Sequence, residues 1–381
     1  PDPPTPDTYT ERNSSAASDV YKRQAQAELE AATGQRRQAG VFSNPDLSWE
    51  REDPDAAARQ DTWSLSWRIP FDGRKHRVAG ADAAVAASEA MVEVTLLDVR
   101  LELRELFAAW YLAGEREQVL KDHLDTTRRL AEWLRARADQ GEAAGVEARR
   151  LELEVEVLSR QLAEANAETR ARKAAAATWS ELVTDGSRPE RPALAPPPAS
   201  VDVTDRPDLV ALELGVVEAE ARQRVNKRVL APPEITLGWL DLRDDTRSFD
   251  GPVFGVTWPV PVFDRNQGSR DAATAEVDRA RAELEAARRA ALQHAHAALA
   301  SYADLYGAVA PGTSFAVEDG VVVAQLAAFE AGEATLTDVL DGLRTTANVR
   351  LARLDTLAAA LTAERKLEAA VGRPILPGGS S

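Results

Sequence analysis

The chain has 381 residues, of which 44% are hydrophobic, 28% charged and only 6% aromatic, and it carries a formal net charge of −16 with no cysteine. That charge argues against nucleic-acid binding, which needs basic surface. The missing thiols exclude disulfides, zinc–thiolate sites, cysteine nucleophiles and a lipid-bearing cysteine within this sequence. No apolar run approaches the ~20 residues of a membrane-spanning helix, so a membrane role would have to use β-strands or a bound surface.

The sequence opens on proline rather than methionine and shows no signal peptide, so its N-terminus reads as incomplete. Glu11 to Gln24 looks unrelated to the rest of the chain and reads as a cloning or assembly junction; residues 1–23 are set aside as non-native or disordered. A short helix is expected at about Gln24–Gln38, then strands near Asp46–Glu52 and Asp61–Ile69. In the second strand Trp63, Leu65, Trp67 and Ile69 alternate with Thr62, Ser64, Ser66 and Arg68, the period of a half-buried strand.

After Phe71-Asp72, a proline-free run of 66 residues goes from Arg74 to Asp139 and stops at Gly141-Glu142-Ala143. As a helix it would span roughly 100 Å, and ordinary globular helices run about 8–20 residues, so something must cover it along its length. Leu96, Val99, Leu103, Leu106, Trp110, Ala113, Glu117, Leu120, Leu124, Thr127, Ala131, Leu134 and Ala138 alternate steps of three and four, a heptad seam that only Glu117 and Thr127 break. Ala148, Leu151, Val155, Leu158, Leu162 and Ala165 continue that rhythm on a returning helix, and the short turn makes the two antiparallel neighbours.

Asp185 to Asp205 holds five prolines and reads as a linker without regular structure. A second helix starts after Arg206-Pro207, where proline suits the first turn. Strands come next, near Glu234–Leu242 and Val253–Val260, then a helical run from Asn266 to Ala331 that Pro311-Gly312 should kink or break. It stops at Gly332-Glu333-Ala334, and Leu336, Leu340, Leu343, Ala347, Leu354, Leu357 and Leu361 mark the return. Phe71 and Phe263 are 192 positions apart, as are Asp72 and Asp264, and the two Gly-Glu-Ala turns are 191 apart. The chain therefore reads as a duplication, 24–184 and 206–373, with a linker at 185–205 and a disordered tail at 374–381.

Five of the eight tryptophans, Trp49, Trp63, Trp67, Trp239 and Trp258, lie in the strand segments, and Phe254, Val256 and Trp258 oppose Gly255 and Thr257. An apolar aromatic face opposite a small polar one suits a transmembrane barrel with lipid outside and water inside. A small soluble sheet packed on the helices fits the strand pattern equally well. Four strands cannot close a membrane-spanning barrel, which needs at least about eight, and open edges are forbidden in lipid. If the strands span a membrane, several chains must share one barrel; three would supply twelve strands.

Nothing points to catalysis. His294 and His296 sit two apart on a helix and face different directions, and with His76 and His123 they complete the four histidines. No nucleophile elbow, phosphate loop or zinc-helix motif appears. The many carboxylates read as solvated helix surface, and no metal or cofactor is expected. Thr335 and Asp338 have capping-box spacing.

Short motifs carry a resemblance. They are Asn44-Pro45-Asp46-Leu47, Arg206-Pro207-Asp208-Leu209, Pro261-Val262-Phe263-Asp264-Arg265-Asn266-Gln267-Gly268 and Gly332-Glu333-Ala334-Thr335-Leu336-Thr337-Asp338-Val339-Leu340-Asp341. In this order the chain, from about Gln24 to Pro374, resembles the outer-membrane efflux protein family, the TolC-like channels. The resemblance implies a mainly α fold with four strands per protomer, trimerising into a twelve-stranded β-barrel and an α-helical barrel that reaches from the outer membrane into the periplasm. It implies a passive exit duct of a tripartite efflux or type I secretion system, with a periplasmic adaptor and an inner-membrane pump as partners. Trp63, Trp67, Trp239, Phe254 and Trp258 would face lipid. Gly141, Glu142, Gly332, Glu333, Ala334 and Thr335 would contact the adaptor. Asp338, Asp341 and Arg344 would hold the tip closed. The competing reading is a periplasmic coiled-coil adaptor or scaffold with no pore; two tandem hairpins, each rooted in tryptophan-bearing strands, favour the channel.

Overall fold

The computed structural model describes residues 16–55, 58–69, 73–140, 145–179, 183–184, 186–227, 232–244, 247–309 and 316–375. The elements run α1 (Ala16–Ala39), β1 (Asp46–Asp55), β2 (Ala58–Arg68), α2 (Arg74–Asp139) and α3 (Gly145–Trp179), then α4 (Pro207–Asn226), β3 (Glu234–Asp244), β4 (Ser248–Thr257), α5 (Gln267–Val309), α6 (Ala316–Glu330) and α7 (Leu336–Val371). The first helix begins at Ala16, ahead of the expected Gln24, so part of the segment set aside as a junction is helical. The second long run is two helices rather than one, ending at Val309 and resuming at Ala316; Pro311-Gly312 lies outside the described residues. The last strand begins and ends earlier than expected, stopping at Thr257 before Pro259 and Pro261, which have no N–H to give a ladder.

The chain packs as two compact units that cut across the two repeats expected from the sequence. Of the described residues, one unit takes those within 24–93 and 207–289; the other takes those within 16–23, 94–206 and 290–375. Each thus draws matching halves from both copies.

In the first unit the four strands form one antiparallel sheet in the order β1-β2-β3-β4. The central pairing joins the two copies in unbroken register, from Ala58 opposite Asp244 to Arg68 opposite Glu234. Small residues let the strands close on one face: the Ser48 and Ser64 hydroxyls are 2.7 Å apart and those of Ser66 and Thr236 2.9 Å. A Cβ at Gly238 would stand 2.8 Å from the Trp63 carbonyl oxygen, so only glycine fits there. The Pro261–Gly268 motif is a joint between helices. Asp264 Oδ1 accepts the Asn266 N–H at 2.9 Å, Asn266 takes the left-handed conformation (φ 58°), and its Nδ2 donates to the carbonyl of Asn226 at the end of α4 at 2.9 Å.

In the second unit, α2, α3, α6 and α7 bury Leu130, Leu134, Ala148, Leu151, Leu336, Val339, Leu340 and Leu343, with Val322, Leu326 and Phe329 against them. All seven residues expected on the α7 seam are buried. On α2, Val99, Leu103, Trp110, Ala113, Leu124, Thr127 and Leu134 are buried as expected, whereas Leu96 is exposed and Phe107 and Leu130 are buried although neither belongs to the expected seam. Thr127 is tolerated inside because its hydroxyl donates to the His123 carbonyl at 2.9 Å.

Farther along this unit lies a buried charge cluster. Glu364 and Glu368, one helical turn apart on α7, are fully buried. Arg104 of α2 reaches both, with Nη2 to Glu364 at 2.8 Å and Nη1 to Glu368. Glu364 Oε1 also accepts the Ala195 N–H at 2.8 Å and the Tyr302 hydroxyl at 3.0 Å, and Glu368 Oε1 accepts the Ile375 N–H at 2.9 Å. Burial pushes the Glu364 carboxyl above its ordinary range, opposed by these donors, and raises the Tyr302 phenol. Removing one member of such a cluster strands the others without partners. Arg104→Met should therefore lower stability by about 3–5 kcal/mol, read as a drop in the thermal midpoint of the detergent-solubilised protein. Replacing Arg104, Glu364 and Glu368 together by leucine should recover only part of that loss, because the Ala195 and Ile375 N–H groups would then lose their acceptors.

Candidate functional site

Two surfaces qualify, one in each unit. The first is the apolar face of the sheet, which the strand registers order into rows. Trp67, Ile235 and Val256 are aligned, then Leu47, Leu65, Leu237 and Phe254. The next row sets Trp49, Trp63 and Trp239 directly opposite one another, with Pro252 on β4. Side chains here are open to the surroundings: Phe254 is 76% exposed, Val256 74%, Trp63 52% and Trp239 50%. Such a contiguous apolar face is a surface that expects a non-aqueous partner.

The rows then change chemistry. Beyond the tryptophans stand Arg51, Asp61, Asp241 and Asp250 in line, and beyond them Arg59 opposite Arg243. Asp61 is gripped by Arg51 (2.7 and 3.2 Å) and by Arg59 (3.1 Å), and Asp241 by both arms of Arg243 (3.2 and 2.9 Å). Of the five aromatics expected to face lipid, Trp63, Trp67, Trp239 and Phe254 share this face; Trp258 lies past the end of β4 and is exposed. Sequence reading did not single out Trp49 for this face or see the arginine and aspartate rows, although the period-two pattern of β2 runs on from Trp63 back through Asp61 and Arg59.

The second surface is the turn between α6 and α7. Gly332 is left-handed (φ 77°), its N–H donates to the Phe329 carbonyl at 3.0 Å, and the Glu333 N–H donates to the Ala328 carbonyl at 2.8 Å, a Schellman closure of α6. Two residues on, Thr335 caps α7: its hydroxyl accepts the Asp338 N–H at 3.3 Å, and Asp338 Oδ2 accepts the Thr335 N–H at 2.9 Å and its hydroxyl at 2.6 Å. Those bonds hold the Asp338 carboxyl below the usual carboxylate range. The equivalent turn of the first copy, with Gly141 and Glu142, lies outside the described residues.

The three gate candidates do not form one network within the chain. Asp338 is engaged by its own cap, and Asp341 is exposed one turn later. Arg344 instead makes a two-pronged ion pair with Glu154 on α3, at 3.1 and 2.6 Å, clasping the two hairpins. The hydrogen bond to Glu154 raises the guanidinium pKa, against the opposing effect of burial. Arg150 adds a bond to Thr337 at 3.2 Å. Glu154 was unreadable as a partner, since nothing in a helix sequence says which solvated-looking glutamate meets a distant arginine.

Beside this clasp a groove of about 1040 Å³ opens between α2, α6 and α7. His123 borders it, buried, with Nε2 lacking a hydrogen-bond partner among the described residues. Burial lowers its pKa; Glu154 acts to raise it and Arg344 to lower it further. A depressed histidine pKa favours the neutral ring in the folded state, so its contribution is present above the unfolded value of about 6.5 and is lost as pH falls through the folded value. The denaturation midpoint should therefore fall on acidification from about pH 8 to about pH 5, and fall less in His123→Gln.

Among the described residues no group of three His, Asp or Glu is placed to hold a metal ion, and no helix is long and apolar enough to cross a membrane.

No protein-family model matches the chain. The cobalt-zinc-cadmium resistance protein CzcC of Cupriavidus metallidurans is 27% identical over 375 residues, covering 94% of this chain and 88% of the relative. Among solved structures, CusC superposes with a TM-score of 0.73 at 17% identity, over 92% of this chain and 89% of that one. The outer membrane protein VceC of Vibrio cholerae superposes with a TM-score of 0.69 at 17% identity, over 97% and 99%.

Proposed function

From a chain that has the TolC-like outer-membrane channel fold, we propose an exit duct: one protomer of an outer-membrane channel that passes solutes passively from the periplasm to the exterior. The observation that carries this reading is the sheet. Its strands of 10, 11, 11 and 10 residues have the length of membrane-crossing strands, about 9–11 residues when tilted. One face is apolar up to a tryptophan row, as at a lipid interface, and charged beyond it. The other face carries Ser48, Ser64, Ser66, Thr236, Gly238 and Gly255, small polar residues suited to a water-filled lumen, with Leu240, Leu242 and Phe249 farther along it.

β1 and β4 each pair on one side only among the described residues. Lipid tolerates no open edge, so the sheet needs copies of itself, and a homotrimer supplies the twelve strands of a closed barrel. Exposed apolar side chains on α3, Leu153 and Val157, give the helices a further face for neighbours. The α6–α7 turn, with Gly332, Glu333, Ala334 and Thr335, is the surface for a periplasmic adaptor linked to an inner-membrane pump, and Gly141 and Glu142 are its counterparts. Asp338, Asp341 and Arg344 govern the closed state. The CzcC relative is named for cobalt, zinc and cadmium resistance, and divalent metal ions are the cargo this acidic chain suits best.

Purified protein in a planar bilayer should give discrete, cation-preferring conductance steps, with the mass of a trimer. A water-soluble monomer or dimer without steps would overturn the reading in favour of a coiled-coil scaffold. Asp338→Asn with Asp341→Asn should weaken the cation preference. Phe254→Arg, on the lipid-facing side, should cost about 2–4 kcal/mol near the bilayer centre and lower the yield of inserted trimer. Ser64→Asn, on the opposite face, should leave insertion intact and change conductance.

A further inference from the structure

We propose that the arginine row at the far rim of the sheet, Arg59 and Arg243 backed by Arg51, is a docking surface for the phosphorylated headgroups of membrane lipids. The inference rests on the channel reading and adds the lipid chemistry that the rim selects.

Position comes first. The arginines share the face of the apolar rows, two rows beyond the tryptophans. Successive rows are two residues apart, so the guanidinium row lies roughly 13 Å along the strands from the tryptophans. Tryptophan settles at the headgroup level of a bilayer. Side chains as long as arginine, rooted just outside that level, reach the phosphates.

Charge is the second observation. Arg59 and Arg243 stand directly opposite each other across β2 and β3, a like-charge pairing that Asp61 and Asp241 offset from one side only. Asp61 serves two arginines, Arg51 and Arg59, so that trio is net cationic, while Arg243 is matched by Asp241. Among the described residues Arg59 spends one N–H on Asp61, and Arg243 two on Asp241, of the five each guanidinium carries. Their side chains are 49% and 73% exposed.

Preorganisation is the third. Arg51 is fixed from two sides, by Asp61 and by the Trp49 ring 4.9 Å below its guanidinium carbon. The aspartates hold the guanidinium forks by their Nε sides, leaving outer N–H groups for a tetrahedral anion. A planar fork matches phosphate oxygens two at a time. The aspartate row alone would repel phosphate; with the arginines in place the rim favours lipids that carry phosphate over those that do not.

The test is native mass spectrometry of the full chain purified in detergent, titrated with diphosphoryl lipid A and with the same lipid stripped of phosphate. Phosphorylated lipid should be retained, and the double variant Arg59→Gln with Arg243→Gln should lose about tenfold in affinity. Conductance of that variant in bilayers should be unchanged, because insertion depends on the apolar rows. Equal retention of the phosphate-free lipid, or indifference of retention to the double variant, overturns the proposal. So does displacement by inorganic phosphate at equal concentration, which would mark a generic anion site. Retention abolished by a chelator yet insensitive to the arginine substitutions would instead assign the lipid to metal-bridged aspartates, and overturns it too. Normal conductance with any of these results sinks this inference alone. A wild-type chain that neither inserts nor conducts sinks the channel reading and this one together.

Discussion

A sheet that turns leucine, valine and tryptophan outward must hide that face and must also close its edges. The two demands pull against each other in water. Covering the face with the chain's own helices would meet the first, yet the rows from Trp67 to Trp63 stay exposed. Leaving β1 and β4 paired on one side only leaves backbone donors and acceptors to be met elsewhere. A lipid bilayer answers the first demand and makes the second absolute, since no water is present there to satisfy an open edge. On the proposed channel reading, trimerisation, the small polar face and the strand lengths all answer to that one constraint.

The other unit solves a different problem. Its linker is rich in proline and offers few backbone hydrogen bonds of its own, yet Ala195 is buried. The Arg104–Glu364–Glu368 cluster supplies what the linker lacks. Glu364 takes the Ala195 N–H, and the single Tyr302 hydroxyl proton is shared between Glu364 and the Ala195 carbonyl. Glu368 takes the Ile375 N–H at the C-terminal end. Two carboxylates on one arginine are costly inside protein unless such donors complete their shells. The cluster thus fixes two irregular segments against α2, α5 and α7 by geometry that an apolar core could not specify.

Local pattern was legible where one face of an element decides everything. The strand faces, the α7 seam and the capping box at Thr335 could all be read, because each depends on residues two to four apart. What failed depended on partners far away in sequence. Arg344 and Glu154 are 190 residues apart and Arg104 and Glu364 260, and on solvated-looking helices any of several acids could have served. The seam on α2 shifted for a related reason: Phe107 and Leu130 are buried and Leu96 is not, because α2 meets more than one neighbour along its length and a single heptad stripe cannot describe that. Trp49, Trp63 and Trp239 form a row only once the registers are known, and register is set by pairing between the two copies.

The tip distributes its charges among distinct tasks, and that bears on how a channel of this kind could open. Asp338 is tied to the cap of its own helix, and those bonds keep it ionised to lower pH than a free carboxylate. It therefore cannot swing to a new partner without uncapping α7. Arg344 is committed to Glu154 and so couples the two hairpins. Asp341 lies between them, exposed, and is the carboxylate with the least to lose by meeting a cation or a neighbouring copy. On the proposed gating role, opening would break the Arg344–Glu154 clasp and leave the Thr335–Asp338 cap in place. His123 sits beside that clasp with its ring held neutral by burial. A proton added there would bring a second cation near Arg344.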